Sequence, residues 1–89
     1  MSKPLPLLYQ FSAISNAAHE LEIDVSDIKQ IDWQFCFLFS RHEAARVAAR
    51  CIKFYAYTPT LTLSDDRLPV AGKGMVWLTT DNLNPAAHA

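Results

Sequence analysis

Residues 33–39, Trp-Gln-Phe-Cys-Phe-Leu-Phe, carry four aromatic rings at alternate positions. Side chains alternate across a strand, so Trp33, Phe35, Phe37 and Phe39 share one face, and Gln34, Cys36 and Leu38 the other. Aromatic enrichment favours a strand over a helix here. The segment reads as a central strand with both faces largely covered. A chain holding such a strand must enclose a continuous aromatic surface. With 51% of its 89 residues hydrophobic, it is a folded domain and not a disordered tail.

The segments around the strand set the fold class. Ser40 and Glu43 have the S-x-x-E spacing of a capping box, in which each side chain satisfies the other's backbone donor. The helix that follows runs to about Tyr55 or Ala56, with Ala44, Val47, Ala48, Cys51, Ile52 and Tyr55 as its apolar stripe and four alanines for close approach to a sheet. Pro59 prevents its continuation. Thr60 to Leu63 alternate as a half-buried strand, residues 64–74 form a loop by composition, and residues 75–80 form a further strand. Upstream, Ser12 is the expected cap of a helix running to about Ile23. Residues 1–11 read as an arm or edge strand, the strand over 5–11, with Pro6 opposing a central position. Residues 24–31 fit either a strand or a helical turn capped by Ser26. The tail, 82–89, is expected to fray.

This order predicts one α+β domain over residues 1–89: a small antiparallel or mixed sheet with two helices on one face. With strands at 6–11 and 24–31 it approaches the ferredoxin-like split β-α-β arrangement. A chain this short buries only about 60–65% of its unfolded surface. Burying its excess apolar surface in a dimer or a partner is the simplest remedy, and a homodimer that binds a larger protein is expected.

Few chemistries find their residues. His19, His42 and His88 are scattered without metal-ligand spacing, so no metal or other cofactor is expected. Cys36 and Cys51 read as buried thiols of a cytoplasmic protein, or as one disulfide, and their apolar surroundings oppose a nucleophilic role. Ala71-Gly72-Lys73-Gly74 lacks the Walker spacing and reads as a hairpin turn. No catalytic residue is assigned and no enzyme is expected. A hydrolase would need His42, Cys51 and Asp65 to converge across a subunit interface. No secretory signal or membrane-length apolar run is visible.

Charge is segregated although the net value is only −1. Residues 12–34 hold five acids against one lysine, and residues 41–57 hold Arg41, Arg46, Arg50 and Lys53 against Glu43. Arg46, Arg50 and Lys53 follow i, i+4, i+7 spacing along one helix stripe opposite the alanines. That stripe is a solvated face, a docking face for an acidic partner or for phosphates, or an internal partner of the acidic first helix. The aromatic strand has no Lys or Arg among its rings, as base-stacking sheets require.

Residues 35–85 resemble the α/β module of the ribonuclease E inhibitor family, regulators of ribonuclease activity type B. The resemblance rests on Phe35, Phe37 and Phe39, on the helix start Glu43-Ala44-Ala45 with Ala48, and on Met75-Val76-Trp77-Leu78 with Pro85. Tyr57-Thr58 stands where that family would have a glycine, and its strongly acidic segments are absent. The resemblance implies a non-catalytic regulatory or inhibitory module that binds another protein. The alternative is RNA or single-stranded nucleic-acid binding through the basic stripe. Arg41, Arg46, Arg50 and Lys53 are the partner-binding residues on either reading.

Overall fold

The structure, a computed structural model, describes residues 4–62 and 66–83. Helix α1 spans Leu7–Glu20, strands β1 and β2 span Asp27–Ile31 and Gln34–Ser40, and helix α2 spans Arg41–Tyr55. Strands β3 (Thr60–Thr62) and β4 (Met75–Thr79) complete one four-stranded sheet in the order β1-β2-β4-β3. Every neighbouring pair is antiparallel. This is the α+β class expected, with both helices on one face. Strands β2 and β3 are each antiparallel to β4, hence parallel to one another, so β2-α2-β3 is a split β-α-β unit with β4 between its strands. The chain order α-β-β-α-β-β begins on a helix, whereas the ferredoxin-like order begins on a strand.

The first helix starts earlier than its expected Ser12 cap, and residues 7–11 form neither a strand nor an arm. Pro6 occupies the N-cap position at φ −55° and its carbonyl accepts from Gln10 N–H at 3.1 Å. A proline costs nothing there, because amide groups in the first helical turn have no helical partner. Ser12 lies exposed within the helix. Residues 1–3 of the proposed arm lie outside the described residues.

Helix α1 ends in a paired hydrogen-bond motif that closes its last carbonyls. Ile23 N–H donates to Ala18 O at 2.9 Å and Glu22 N–H to His19 O at 3.0 Å. Ile23 is buried with Ala17 and Ala18, the apolar contact that accompanies this motif. Glu22 takes the left-handed position, φ 57°, which favours glycine. Glu22→Gly is therefore expected to stabilise the fold by about 0.5–1 kcal/mol. A urea midpoint that falls for this variant would contradict the assignment.

Of residues 24–31, residues 27–31 form strand β1 and 24–26 lead into it. Its hairpin with β2 turns through Asp32 and Trp33, with Asp32 at φ 53°, as primed turns require at their first central residue. Trp33 therefore belongs to the turn, half exposed, and not to the aromatic face of β2. Phe35, Phe37 and Phe39 do share that face. Phe37 and Phe39 are wholly buried, and Phe11 of α1 packs on Phe35 and Phe37 with centroids at 4.6 and 5.4 Å.

The main core lies between the sheet and the helices: Ile14, Ala17, Ala44, Val47 and Cys51 against Phe37, Phe39, Val76 and Leu78. Small residues at the helix crossing bring the backbones close, and the Cys51 thiol donates to Ala13 O at 3.5 Å. A second, smaller core covers the opposite face. Cys36 and Trp77 pack there with Leu68 of the connection between β3 and β4, and the Trp77 indole N–H donates to Pro69 O at 2.9 Å. Cys36 and Cys51 are thus buried thiols in separate cores. Gly72 and Gly74, at φ 98° and 75°, form the turn into β4, where Met75 N–H donates to Gly72 O.

Of the proposed frayed tail, residues 82–83 are held: Leu83 N–H donates to Trp33 O at 3.1 Å. Residues 84–89 lie outside the described residues, as do Leu63 and Asp65.

Candidate interaction face on the second helix

Ser40 caps the start of α2, the half of the expected capping box in which the serine satisfies the Glu43 backbone donor. Glu43 N–H donates to Ser40 Oγ at 3.2 Å, and the serine hydroxyl donates to Glu43 Oε1 at 2.9 Å. That contact engages Glu43, the one carboxylate on α2. Arg41 N–H donates to Gly74 O at 3.0 Å, fixing the helix start against the turn into β4. At the far end Ala56, φ 49°, takes the left-handed position. The chain reversal expected to need a glycine near Tyr57-Thr58 is made one residue earlier.

A helix lying on a sheet buries only one arc. On α2 that arc is Ala44, Val47 and Cys51, with Ala48 and Tyr55 half-buried at its border. Ile52 lies one residue, about 100°, past Cys51 and falls outside it. It is 53% exposed, so its place in the expected apolar stripe is corrected. The alanines also divide: Ala44 and Ala48 face the core, while Ala45 and Ala49 face outward. The exposed face thus runs through His42, Ala45, Ala49, Ile52 and Lys53, with Arg46 beside it.

The four cations separate by environment. Arg46 and Lys53 are exposed and within about 20° of each other round the helix. Arg41 is exposed on the other flank of the alanines. Arg50 is turned toward α1, where its Nε lies 2.9 Å from Glu20 Oε1. The Tyr55 hydroxyl donates to the other oxygen, Glu20 Oε2, at 2.7 Å. The guanidinium, then the phenol, hold the Glu20 carboxyl below its ordinary range, and its acceptance of the Tyr55 proton raises the Tyr55 pKa. For Arg50 the partner is internal: Glu20, the one carboxylate of α1.

Phe54 adds an apolar element that the charge pattern alone does not reveal. Its ring is 57% exposed, with the Arg50 guanidinium 4.5 Å and the Lys53 ammonium 5.3 Å from its centroid. Cations over an aromatic face are held by the ring quadrupole, which orders otherwise mobile side chains. Its position next to Lys53 and four residues from Arg50 was a readable signal.

Elsewhere the described residues bring no reactive constellation together. Burial, then Glu20, push the Cys51 thiol up to about 11, against a thiolate nucleophile, while His42 is exposed nine residues earlier on α2. Tyr57 is buried with its hydroxyl unpartnered among the described residues, and burial, then Asp81, keep it protonated. A groove of about 530 Å³ opens between the first turn of α1 and the β1–β2 turn, lined by Pro6, Leu7, Leu8, Trp33 and Phe35, with Asp32 its one charge. Among the described residues no group of three His, Cys, Asp or Glu side chains is placed to hold a metal ion. No described helix is long and apolar enough to cross a membrane.

The free edge of β1 is blunted by its own side chains. The Asp27 carboxylate accepts from Ile28 N–H at 2.8 Å, and its other oxygen lies 3.5 Å from Lys29 Nζ. Charged residues on an edge oppose strand-to-strand association. The exposed face of α2 carries no comparable protection.

Fold and face together define a two-layer α+β domain presenting one cationic helix with exposed apolar residues. No family model matches the chain, and no curated protein or solved structure matches it.

Proposed function

We propose that this chain is a small non-catalytic module of the cytoplasm that regulates or inhibits a larger protein by binding it through the outward face of α2. The observation that carries the reading is the exposed pair Arg46 and Lys53 with Ile52 on one side of them, on a helix whose single carboxylate is engaged in its own cap; Phe54, about 200° round the helix from Ile52, lies on the other flank under Arg50. Interfaces concentrate their energy in such apolar anchors, with flanking charge steering the encounter. A cytoplasmic setting suits a chain that keeps both cysteines as thiols. The resemblance to the ribonuclease E inhibitor family implies the same mode of action and rests on its own residues.

Phe54 also favours a second reading, single-stranded RNA binding, because a ring interleaved with cations is a base-stacking element. Against it, two cations already lie over that ring, and a stacking base would have to displace them. Affinity capture from source lysate with and without nuclease separates the two. A protein recovered under both conditions, and lost with Arg46→Glu/Lys53→Glu, is the expected result. Partners lost on nuclease treatment would establish the RNA reading, and recovery unaffected by charge reversal would remove this face from either.

A further inference from the structure

The outward face of α2 has a spacing that its charges alone do not disclose. His42, Ala45, Ala49 and Ile52 are all exposed and follow one another at three, four and three residues. That is the a/d repeat of a helix-pairing seam, and Ala56, just past the helix end, continues it at four. In this register Arg46 and Lys53 occupy the positions flanking one side of the seam, and Arg41 flanks the other. None of the three forms an ion pair among the described residues. The buried repeat of the same helix, Ala44, Val47 and Cys51, lies on the opposite arc and is consumed by the core.

From this we infer that the α2 face is a docking seam for an amphipathic helix of another protein, one with apolar residues at its own seam and Asp or Glu at the flanking positions. The inference rests on the protein-binding reading above and names the recognised element. Alanines at 45 and 49 let the partner backbone approach closely, and Ile52 supplies the knob that enters between the partner's side chains. The flanking charges select the occupant. A second copy of this chain would set Arg41, Arg46 and Lys53 against the same cations, so the seam disfavours self-pairing. An acidic helix meets three cations with no competing carboxylate on α2.

The test uses the full chain and two synthetic three-heptad helical peptides with leucine at the seam positions. One carries glutamate at the flanking positions and the other lysine. The glutamate peptide is expected to bind, with amide shifts confined to residues 41–56, and to weaken as salt rises. Ile52→Asp and the pair Arg46→Glu/Lys53→Glu should each weaken it at least about tenfold, or about 1.4 kcal/mol. Circular dichroism of these surface variants should match the wild type. Equal binding of both peptides, or shifts elsewhere, would overturn the seam. Failure of the glutamate peptide overturns it too. If a protein is then still captured from lysate through Arg46 and Lys53, the docking function stands with a different recognised element, and if none is, both readings fall. Preferential binding of a single-stranded oligoribonucleotide at residues 41–56 would replace the helix with RNA.

Discussion

Phe37→Ala is expected to remove about 3–5 kcal/mol of stability, the range for deleting a fully buried phenylalanine. Phe37 is wholly buried at the middle of β2, opposite Ile28 on one side and Leu78 on the other. Its ring lies 5.4 Å from Phe11 and 6.5 Å from Phe39. The cavity left by alanine would border α1 and both neighbouring strands, where side chains at fixed register have little room to collapse. Domains have about 0.05–0.15 kcal/mol of stability per residue, about 4–13 kcal/mol for 89 residues, so the loss is at least about a quarter of the whole. Urea denaturation followed by circular dichroism checks it: the midpoint should fall steeply at an unchanged slope. Phe54→Ala is the matched control, a half-exposed ring whose loss should shift stability by about 0.5 kcal/mol or less. A Phe37→Ala loss below about 1.5 kcal/mol would mean that the aromatic strand is not the centre of the core.

Gln10→Leu carries the second large effect, through polar groups. Gln10 is wholly buried in α1, yet its side-chain hydrogen bonds all leave the helix. Its Nε2 donates to Leu5 O at 2.9 Å and to Asp81 Oδ2 at 3.3 Å, while its Oε1 accepts from Asp81 N–H at 2.8 Å. One side chain thus ties the entry to α1 to the exit from β4. Leucine conserves the volume and orphans the partners, each about 1–3 kcal/mol when buried. Those partners are only partly buried, so water recovers a share and a net loss of about 2–4 kcal/mol is expected. Thermal and urea melts measure it. A loss under about 1 kcal/mol would reduce Gln10 to a packing residue.

These two residues mark what the sequence discloses and what it hides. Phe37 is legible, because alternation of rings over residues 33–39 has one physical solution. Gln10 is not, since a buried glutamine has the same letter as an exposed one, and its partner Asp81 lies 71 residues away. The start of α1 was legible and misread. Leu7, Phe11, Ile14, Ala18 and Leu21 already follow helical spacing, and Pro6 marks the beginning of that pattern and not a barrier within it. Trp33 was lost the other way, by carrying alternation into a two-residue turn that lacks a glycine. On α2 the cations were visible from spacing. The turning of Arg50 onto Glu20 and the exposure of Ile52 depend on where α1 and the sheet lie, and local pattern does not encode that.

The position of β4 in the sheet has a consequence for how the protein comes into being. β4 is the last described strand in chain order, yet it is paired on both sides. Without β4, only β1 and β2 have a strand partner. The outer edge of β2 is then open, β3 has no neighbour, and half the aromatic layer lacks Val76 and Leu78. Non-local pairing of this kind is the slow step in folding and the stage at which strand edges meet other chains. Pairing of β4 covers the open edge of β2 and gives β3 its neighbour together, which makes completion of the sheet depend on one strand.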